Sequence, residues 1–339
     1  MQDLDFQSID KYLSSNLIGY KGPSEFKKFS TGQSNPTYLV NAKSGKYVLR
    51  SKPLGVLLKS AHAVEREYFV IKALQSSNIP LPATYVLCED ENVAGSIFFV
   101  MSFVKGKNYS DPRLPNLTNE ERSKLYDNMN EVLSLIHNID INQAGLEKFG
   151  KTGNYFERQV SRWTRQYQSS ETETISEMNQ LIEWLELNTP SDDGRVSLVH
   201  GDYRIDNFII DNHRPVIKAV LDWELSTTGH PLADLSYQCM QWRMPEGREG
   251  RGLAGINRKN LGIPSEKEYL ELYCKRTGID EIKNWSFYLV FSCFRFAAIL
   301  QGVLKRSIEG NASNPEEAKK LGKMVPKLSK MAINIIEND

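Results

Sequence analysis

The run LVHGDYRIDNFIIDNHRPVIKAVLDWE, residues 198–224, decides how this 339-residue chain reads. Apolar Leu198 and Val199 deliver His200, Gly201 and Asp202. Asn207 follows in a D-x-x-x-x-N spacing, and a second apolar strand over 219–221 delivers Asp222. Two carboxylates and an amide thereby sit at strand ends, where a β-bridge would gather them. Hard oxygen ligands of this kind suit Mg2+, which is commonly held by one or two protein groups plus nucleotide phosphates. A carboxylate beside such a metal can accept a hydroxyl proton, and phosphoryl transfer asks for little covalent chemistry from the protein. Turns rich in Gly, Asp and Asn end strands in any α/β protein. The spacing and both flanking strands are what set this run apart.

Working outward, the residues before this run have a different character from those around it. Leu4, Ile9, Leu13 and Leu17 recur at helical spacing over 4–19. Strands follow over 36–42 and 46–51, with Ser44 and Gly45 between them as a hairpin signal. A helix over 61–76 ends at Asn78 and Pro80. Strands over 83–88 and 96–104 flank a turn of Asp90, Glu91, Asn92 and Gly95. Beyond Gly106 helices dominate. Thr118 and Glu121 form a capping-box pair for a helix over 118–137, whose Leu125, Met129, Val132, Leu133 and Ile136 share one face. Further helices are expected at 153–168 and 172–188, short strands at 198–199, 208–210 and 216–221, and mostly helix thereafter to about 337. The expected class is α+β: a small β-rich lobe over 1–105, then a larger, mainly helical lobe over 106–339.

Composition narrows the function. Lys plus Arg and Asp plus Glu are 42 each, so the strong positive field that phosphate-backbone binding wants is missing and no nucleic-acid partner is expected. Cys88, Cys239, Cys274 and Cys293 form no CxxC pair and read as buried thiols of a reducing compartment. The N-terminal MQDLDFQSIDKYL has no apolar signal core. The most apolar late stretch, residues 286–300, is interrupted by Arg295 and reads as too short to span a bilayer. The expectation is a cytoplasmic protein without a membrane partner.

H-G-D-x-x-x-x-N followed by L-D-W-E resembles the catalytic and metal-binding segments of the aminoglycoside phosphotransferase and choline kinase superfamily, relatives of protein kinases. The resemblance implies a two-lobed protein-kinase-like fold, ATP as co-substrate with Mg2+, and a small-molecule acceptor. It makes Asp202 the catalytic base and Asn207 and Asp222 the metal ligands, with Asp222 the main one. It makes Asp234 a structural brace of the catalytic loop. In the first lobe it assigns the phosphate-gripping cation to Arg50 and its partner to Glu67. Arg50 departs from the usual Lys but keeps the charge and adds a fork. Glu65, two residues away on another helical face, is the competing partner. The loop over 30–38, STGQSNPTY, falls where kinases carry a Gly-rich phosphate loop. Ser34 and Asn35 would present short polar groups there, although Gly32 alone matches the glycine pattern. FFVMSFVKG, residues 98–106, resembles the adenine-binding hinge, with backbone from Ser102, Phe103 and Val104 and with Met101 behind.

A narrower likeness lies in LVHGDYRIDN, VLDWELSTTGHPLADLSY and FRFAAILQGVLKR. They look like the family branch related to kinase-like domains fused to acyl-CoA dehydrogenases, which is associated with hydroxyacyl thioesters. The basic loop over 243–259 carries Arg243, Arg248, Arg251, Arg258 and Lys259. It reads either as a clamp for an anionic acceptor through Arg248 and Arg251 or as a solvated loop. Trp163, Trp223 and Trp242 fit an acceptor pocket or the core. Three other readings compete. A protein kinase would carry Arg where Gly201 stands. A pseudokinase would bind nucleotide without turnover, but usually lacks the base or a metal ligand. A choline- or homoserine-type kinase would want an acidic acceptor pocket, to which Glu224 is the slight pointer.

Overall fold

The computed structural model describes residues 4–29, 35–54, 63–246, 251–310 and 314–338. Segment 4–107 contains α1 (Phe6–Asn16), β1 (Glu25–Lys28), β2 (Thr37–Ala42), β3 (Gly45–Ser51), α2 (Val64–Ala73), β4 (Thr84–Cys88), α3 (Glu91–Ala94) and β5 (Phe98–Ser102). Segment 108–206 contains α4 (Asn119–His137), α5 (Tyr155–Ser170), α6 (Ser176–Asn188) and β6 (Ser197–Val199). Then come β7 (Phe208–Ile210), β8 (Ile217–Val220) and β9 (Thr227–Gly229). Five helices close the chain: α7 (Leu232–Arg243), α8 (Glu266–Thr277), α9 (Trp285–Ile308), α10 (Pro315–Gly322) and α11 (Val325–Asn338). The chain folds as two units, one of residues 1–107 with 207–226, the other of 108–206 with 227–339. Residues 207–226, which the sequence placed wholly in the later lobe, therefore pack with the N-terminal part.

The first unit is built on an antiparallel sheet of order β1-β2-β3-β5-β4. Alternation along each strand sends neighbouring side chains to opposite faces. Val40, Leu49, Phe98 and Val100 pack with Ile9 and Leu13 of α1. Val48, Phe99 and Met101 pack with Val64 and Tyr68 of α2. Leu49 is fully buried, and truncating such a side chain to Ala costs about 2–5 kcal/mol. Arg50, two residues from Val48, shares the α2 face. β1, Glu-Phe-Lys-Lys, carries no apolar alternation and was not expected. It is an edge strand formed by pairing with β2. The expected turn at 90–95 holds a short helix, capped by Asp90 and stopped by Gly95 at φ 80°.

The β7–β8 hairpin is pinned to this unit by Val220 N–H on the Pro80 carbonyl (2.9 Å) and by paired bonds between Lys107 and Ile210. Gly106 is required at that contact, because a Cβ there would lie 2.4 Å from the Ile210 carbonyl oxygen.

In the second unit α4 begins with the expected capping box. Glu121 N–H donates to Thr118 Oγ1 and Thr118 N–H to Glu121 Oε2. The stretch read as too short to cross a bilayer is part of a 24-residue helix, α9, long and apolar enough by composition. The polar Gln301 and Gly302 do not stop it, and Arg295 finds partners inside the fold. Of its most apolar window 72% is buried within the structure, against α5, α7, α10 and α11 among others. It is the core helix of this unit. β6 pairs with β9, Val199 opposite Thr227, so the strand leading into His200 is fixed from its side.

Candidate active site

In the first unit, three carboxylates surround one guanidinium. Arg50 projects from β3 with its Nε 2.7 Å from Glu67 Oε2 of α2. This is a charge contact out of hydrogen-bond alignment, since neither atom has a hydrogen-bond partner among the described residues. Arg50 Nη2 donates to Asp222 Oδ1 and lies 3.6 Å from Glu224 Oε2. Glu65 points elsewhere and pairs with Lys52 at 2.8 Å, which settles the choice between the two glutamates. Burial pushes the Glu67 carboxyl well above its ordinary range, and Arg50 only partly offsets this. Burial also works against the charge on Arg50, but Glu67, Asp222 and Glu224 outweigh it and raise its pKa. Arg50 is a cation at any accessible pH, so the imbalance of the pair falls on Glu67.

Asp222, two residues beyond the end of β8, opens the next short turn at φ 65° and ψ 59°, a left-handed conformation that Asp tolerates better than most residues. Fully buried Trp223 anchors the next turn, its Nε1 donating to the Val220 carbonyl at 3.1 Å. That tryptophan is core. Leu221 N–H donates to the Asn207 carbonyl at 2.8 Å, so the hairpin places Asn207 beside the strand end that carries Asp222. Glu224, read from the sequence as an acceptor contact, instead accepts from the buried Asn35 Nδ2 at 3.0 Å and faces Arg50. Two residues beyond Asp222, it has the same short turn behind it. Ser34 and Arg248 lie outside the described residues.

The hinge segment is narrower than expected. Ser102 N–H donates to the Ala83 carbonyl (2.8 Å) and its Oγ accepts from Ala83 N–H (2.9 Å). That donor is spent within the sheet and is not open to a ligand; Phe103 and Val104 lie beyond the end of β5. Met101 is buried against Val48 and Tyr68.

In the second unit, the loop His200–Gly201–Asp202 is held by α7. Asp234 accepts from His200 N–H (2.6 Å) and Gly201 N–H (2.8 Å). His137 Nε2 lies 3.3 Å from the same carboxylate, and its Nδ1 2.6 Å from the Tyr273 hydroxyl. A proton on Nε2 satisfies both contacts, with Tyr273 donating to Nδ1. Burial would raise the Asp234 pKa, but His137 and the His200 amide win and hold it below the usual carboxylate range. The brace expected of Asp234 is thus present in full. Tyr237, three residues on, donates its hydroxyl to Asp202 Oδ1 at 2.9 Å. Arg295 of α9 donates to the Gly201 carbonyl at 2.9 Å.

Arg204 grips Asp206 through two hydrogen bonds, and Arg251 reaches the same carboxylate at 3.1 Å. With Gln238, Gln241 and Trp242 these residues line a small cavity. The side-chain nitrogens of Gln238 and Gln241 are buried there without a partner among the described residues. Trp163 stacks on Arg295. Tyr237, Arg295 and His137 escaped the sequence reading. The available signal for Tyr237 was its i+3 spacing from Asp234 on one helix. For Arg295 it was a lone charge inside an apolar run.

The model of the phosphotransferase enzyme family matches residues 25–267. The chain belongs to this family. The solved structure of a putative aminoglycoside phosphotransferase from Ralstonia eutropha JMP134 is 42% identical, superposes with a TM-score of 0.89, and is covered to 98%, as is this chain. Spectinomycin phosphotransferase, solved with ADP and spectinomycin, covers 99% of each chain at a TM-score of 0.64; at 14% identity it shows the shared fold alone. Among curated proteins, acyl-CoA dehydrogenase family member 10 of Mus musculus is 44% identical over 327 residues, 96% of this chain and 30% of the relative. The chain spans less than half the length of the curated relatives it matches. The fold is the two-lobed, protein-kinase-like α+β fold of the family.

Proposed function

We propose that this family member transfers the γ-phosphoryl group of ATP to a hydroxyl of a small molecule. The observation that carries the reading is the braced HGD loop: buried Asp234 holds the backbone amides of His200 and Gly201, and Tyr237 holds the carboxylate of Asp202, support that a plain turn residue would not require. In the proposed reaction Asp202 accepts the acceptor's hydroxyl proton as that oxygen bonds to the γ-phosphorus and the bond to the β-phosphate oxygen breaks, releasing ADP. Arg50, oriented by Glu67, grips phosphate oxygens in place of the usual Lys. Phe103 and Val104 offer backbone to adenine.

Asn207 and Asp222 would hold Mg2+. Their oxygen-only donors fit that hard cation, and the carboxylates crowded around Arg50 leave an excess of negative charge beside Asp222 for a divalent ion to balance. When bound, Mg2+ supplies charge neutralisation on the phosphates. For the acceptor we propose a hydroxyacyl thioester or a similar anionic metabolite. The names of the curated relatives, acyl-CoA dehydrogenase family members, support an acyl-CoA connection; Arg251, half-exposed and paired with Asp206, is the cation of the second unit that an anionic acceptor would have to draw from that pair.

The test begins with a screen of hydroxyacyl-CoA thioesters, choline and aminoglycosides for ATP-dependent mass gain of one phosphoryl group. On the acceptor found, Asp202→Asn is expected to cut kcat by about two to four powers of ten, the usual range for a general base, with MgATP affinity by calorimetry retained. Normal turnover by Asp202→Asn would overturn the assignment. MgATP binding without transfer or hydrolysis would make the chain a nucleotide-binding module.

A further inference from the structure

Three side chains hold the consecutive residues His200, Gly201 and Asp202, and two of the three come from one face of α7. Asp234 takes the backbone amides of His200 and Gly201. Tyr237 lies one helical turn further on, where i and i+3 side chains share a face, and takes the side chain of Asp202. Arg295 closes the third side by donating to the Gly201 carbonyl.

The Tyr237 ring is itself fixed. Arg295 lies 5.4 Å from its centroid and 5.6 Å from that of Trp163, sandwiched between the two. Phe296 meets the Tyr237 ring edge-on at 6.1 Å. Tyr237 is 3% exposed. A buried phenol needs a partner for its hydroxyl, and here the partner is Asp202, whose side chain is still about a quarter exposed. Arg204 approaches the same oxygen, Oδ1, at 4.0 Å. The other buried tyrosines of this unit with a hydroxyl partner among the described residues find it on a buried group, a backbone carbonyl for Tyr126 and Tyr203 and a buried side chain for Tyr269 and Tyr273, whereas Tyr237 spends its hydroxyl on a carboxylate that is still partly exposed.

We propose that Tyr237 is the positioning residue of Asp202, and that Arg295 locks it by stacking on its ring while anchoring the Gly201 carbonyl. This rests on Asp202 being the base. One hydrogen bond to Oδ1 fixes the carboxylate's rotation, and with it the direction in which the acid meets an incoming hydroxyl. Preset geometry of this kind is where much of an enzyme's rate advantage lies. The HGD loop and its tyrosine would then act as one unit, so their substitutions should not add.

The experiment is a double-mutant cycle on the full chain, with MgATP and water as the reactants and phosphate release as the readout. Tyr237→Phe removes one oxygen and keeps the ring that stacks on Arg295. It is expected to lower kcat about tenfold, the loss expected for a hydrogen bond to a charged group, with the MgATP KM held within about twofold. In an Asp202→Asn background the same change should cost less than about twofold. Arg295→Lys, which keeps charge but loses the planar stack, should lower kcat in the same direction.

An unchanged kcat for Tyr237→Phe, or an equal loss in both backgrounds, would overturn the proposal while leaving the base assignment intact. A wild-type rate in Asp202→Asn itself would instead sink the base assignment. If hydrolysis is too slow to measure, a crystal structure of Tyr237→Phe decides. The proposal expects the Asp202 carboxylate to leave its present rotamer, and an unmoved carboxylate would refute it.

Discussion

Asp234 offers the sharpest test of how the HGD loop is built. Asp234→Ala would strip the acceptor from three donors at once: His200 N–H at 2.6 Å, Gly201 N–H at 2.8 Å and His137 Nε2 at 3.3 Å. A buried donor left unsatisfied costs about 1–3 kcal/mol. Three of them would sum to about 3–9 kcal/mol, and the lower part of that span, about 3–5 kcal/mol, is the range seen when a buried pair loses one partner. Asp234→Asn is milder. Its carbonyl oxygen can take the place of Oδ2, which serves His200 and His137, but its amide then meets the Gly201 N–H donor to donor, and the loss should be about 2 kcal/mol. In a thermal melt the Ala variant should fall by on the order of 10 °C and the Asn variant by less than half of that.

The pH dependence supplies an independent check. The folded carboxyl is held below its ordinary value. Its contribution is therefore present above the unfolded pKa, near about 4, and is lost as pH falls through the lower folded value. The gap between wild type and Asp234→Asn should be full at pH 7 and shrink below about pH 4. An Asp234→Ala protein that melts within a degree or two of wild type, or a gap that widens in acid, would refute the reasoning.

Two further expectations follow from the first unit. Asp222→Asn keeps a residue that tolerates the left-handed backbone and should abolish phosphoryl transfer with little change in melting temperature; full turnover at saturating Mg2+ would remove Asp222 from the metal site. Arg50→Ala should raise the ATP KM, lower turnover and cost stability by leaving Glu67 buried without its guanidinium, whereas Arg50→Lys should retain much of the activity. Calorimetric ATP affinity indifferent to Arg50→Ala would return this residue to a purely structural ion cluster.

Much of this protein is legible in its residue order, because the informative features are local. The strand-turn patterns that put Asp202, Asn207 and Asp222 at strand ends, the capping box of α4, and the alternation that turns Val48 and Arg50 to one face of β3 are all set within a few residues. So is the i+3 spacing of Asp234 and Tyr237. The chain alone could not say that β1 is a strand, because its four residues carry no alternation and are ordered by pairing with β2. Nor could it show that the stretch around Arg295 continues as a 24-residue core helix, since helix length there is set by packing on five neighbouring helices.

The partners of the charged residues were beyond it for the same reason. Arg50 and Asp222 stand 172 positions apart, Asn35 and Glu224 stand 189, and His137 and Asp234 stand 97. Buried charges must find compensation at close range, but composition allows many pairings and only the tertiary fold selects one. That selection moved Glu224 from a presumed acceptor contact to the Arg50 cluster, and brought Tyr237 and Arg295 to the loop that carries Asp202.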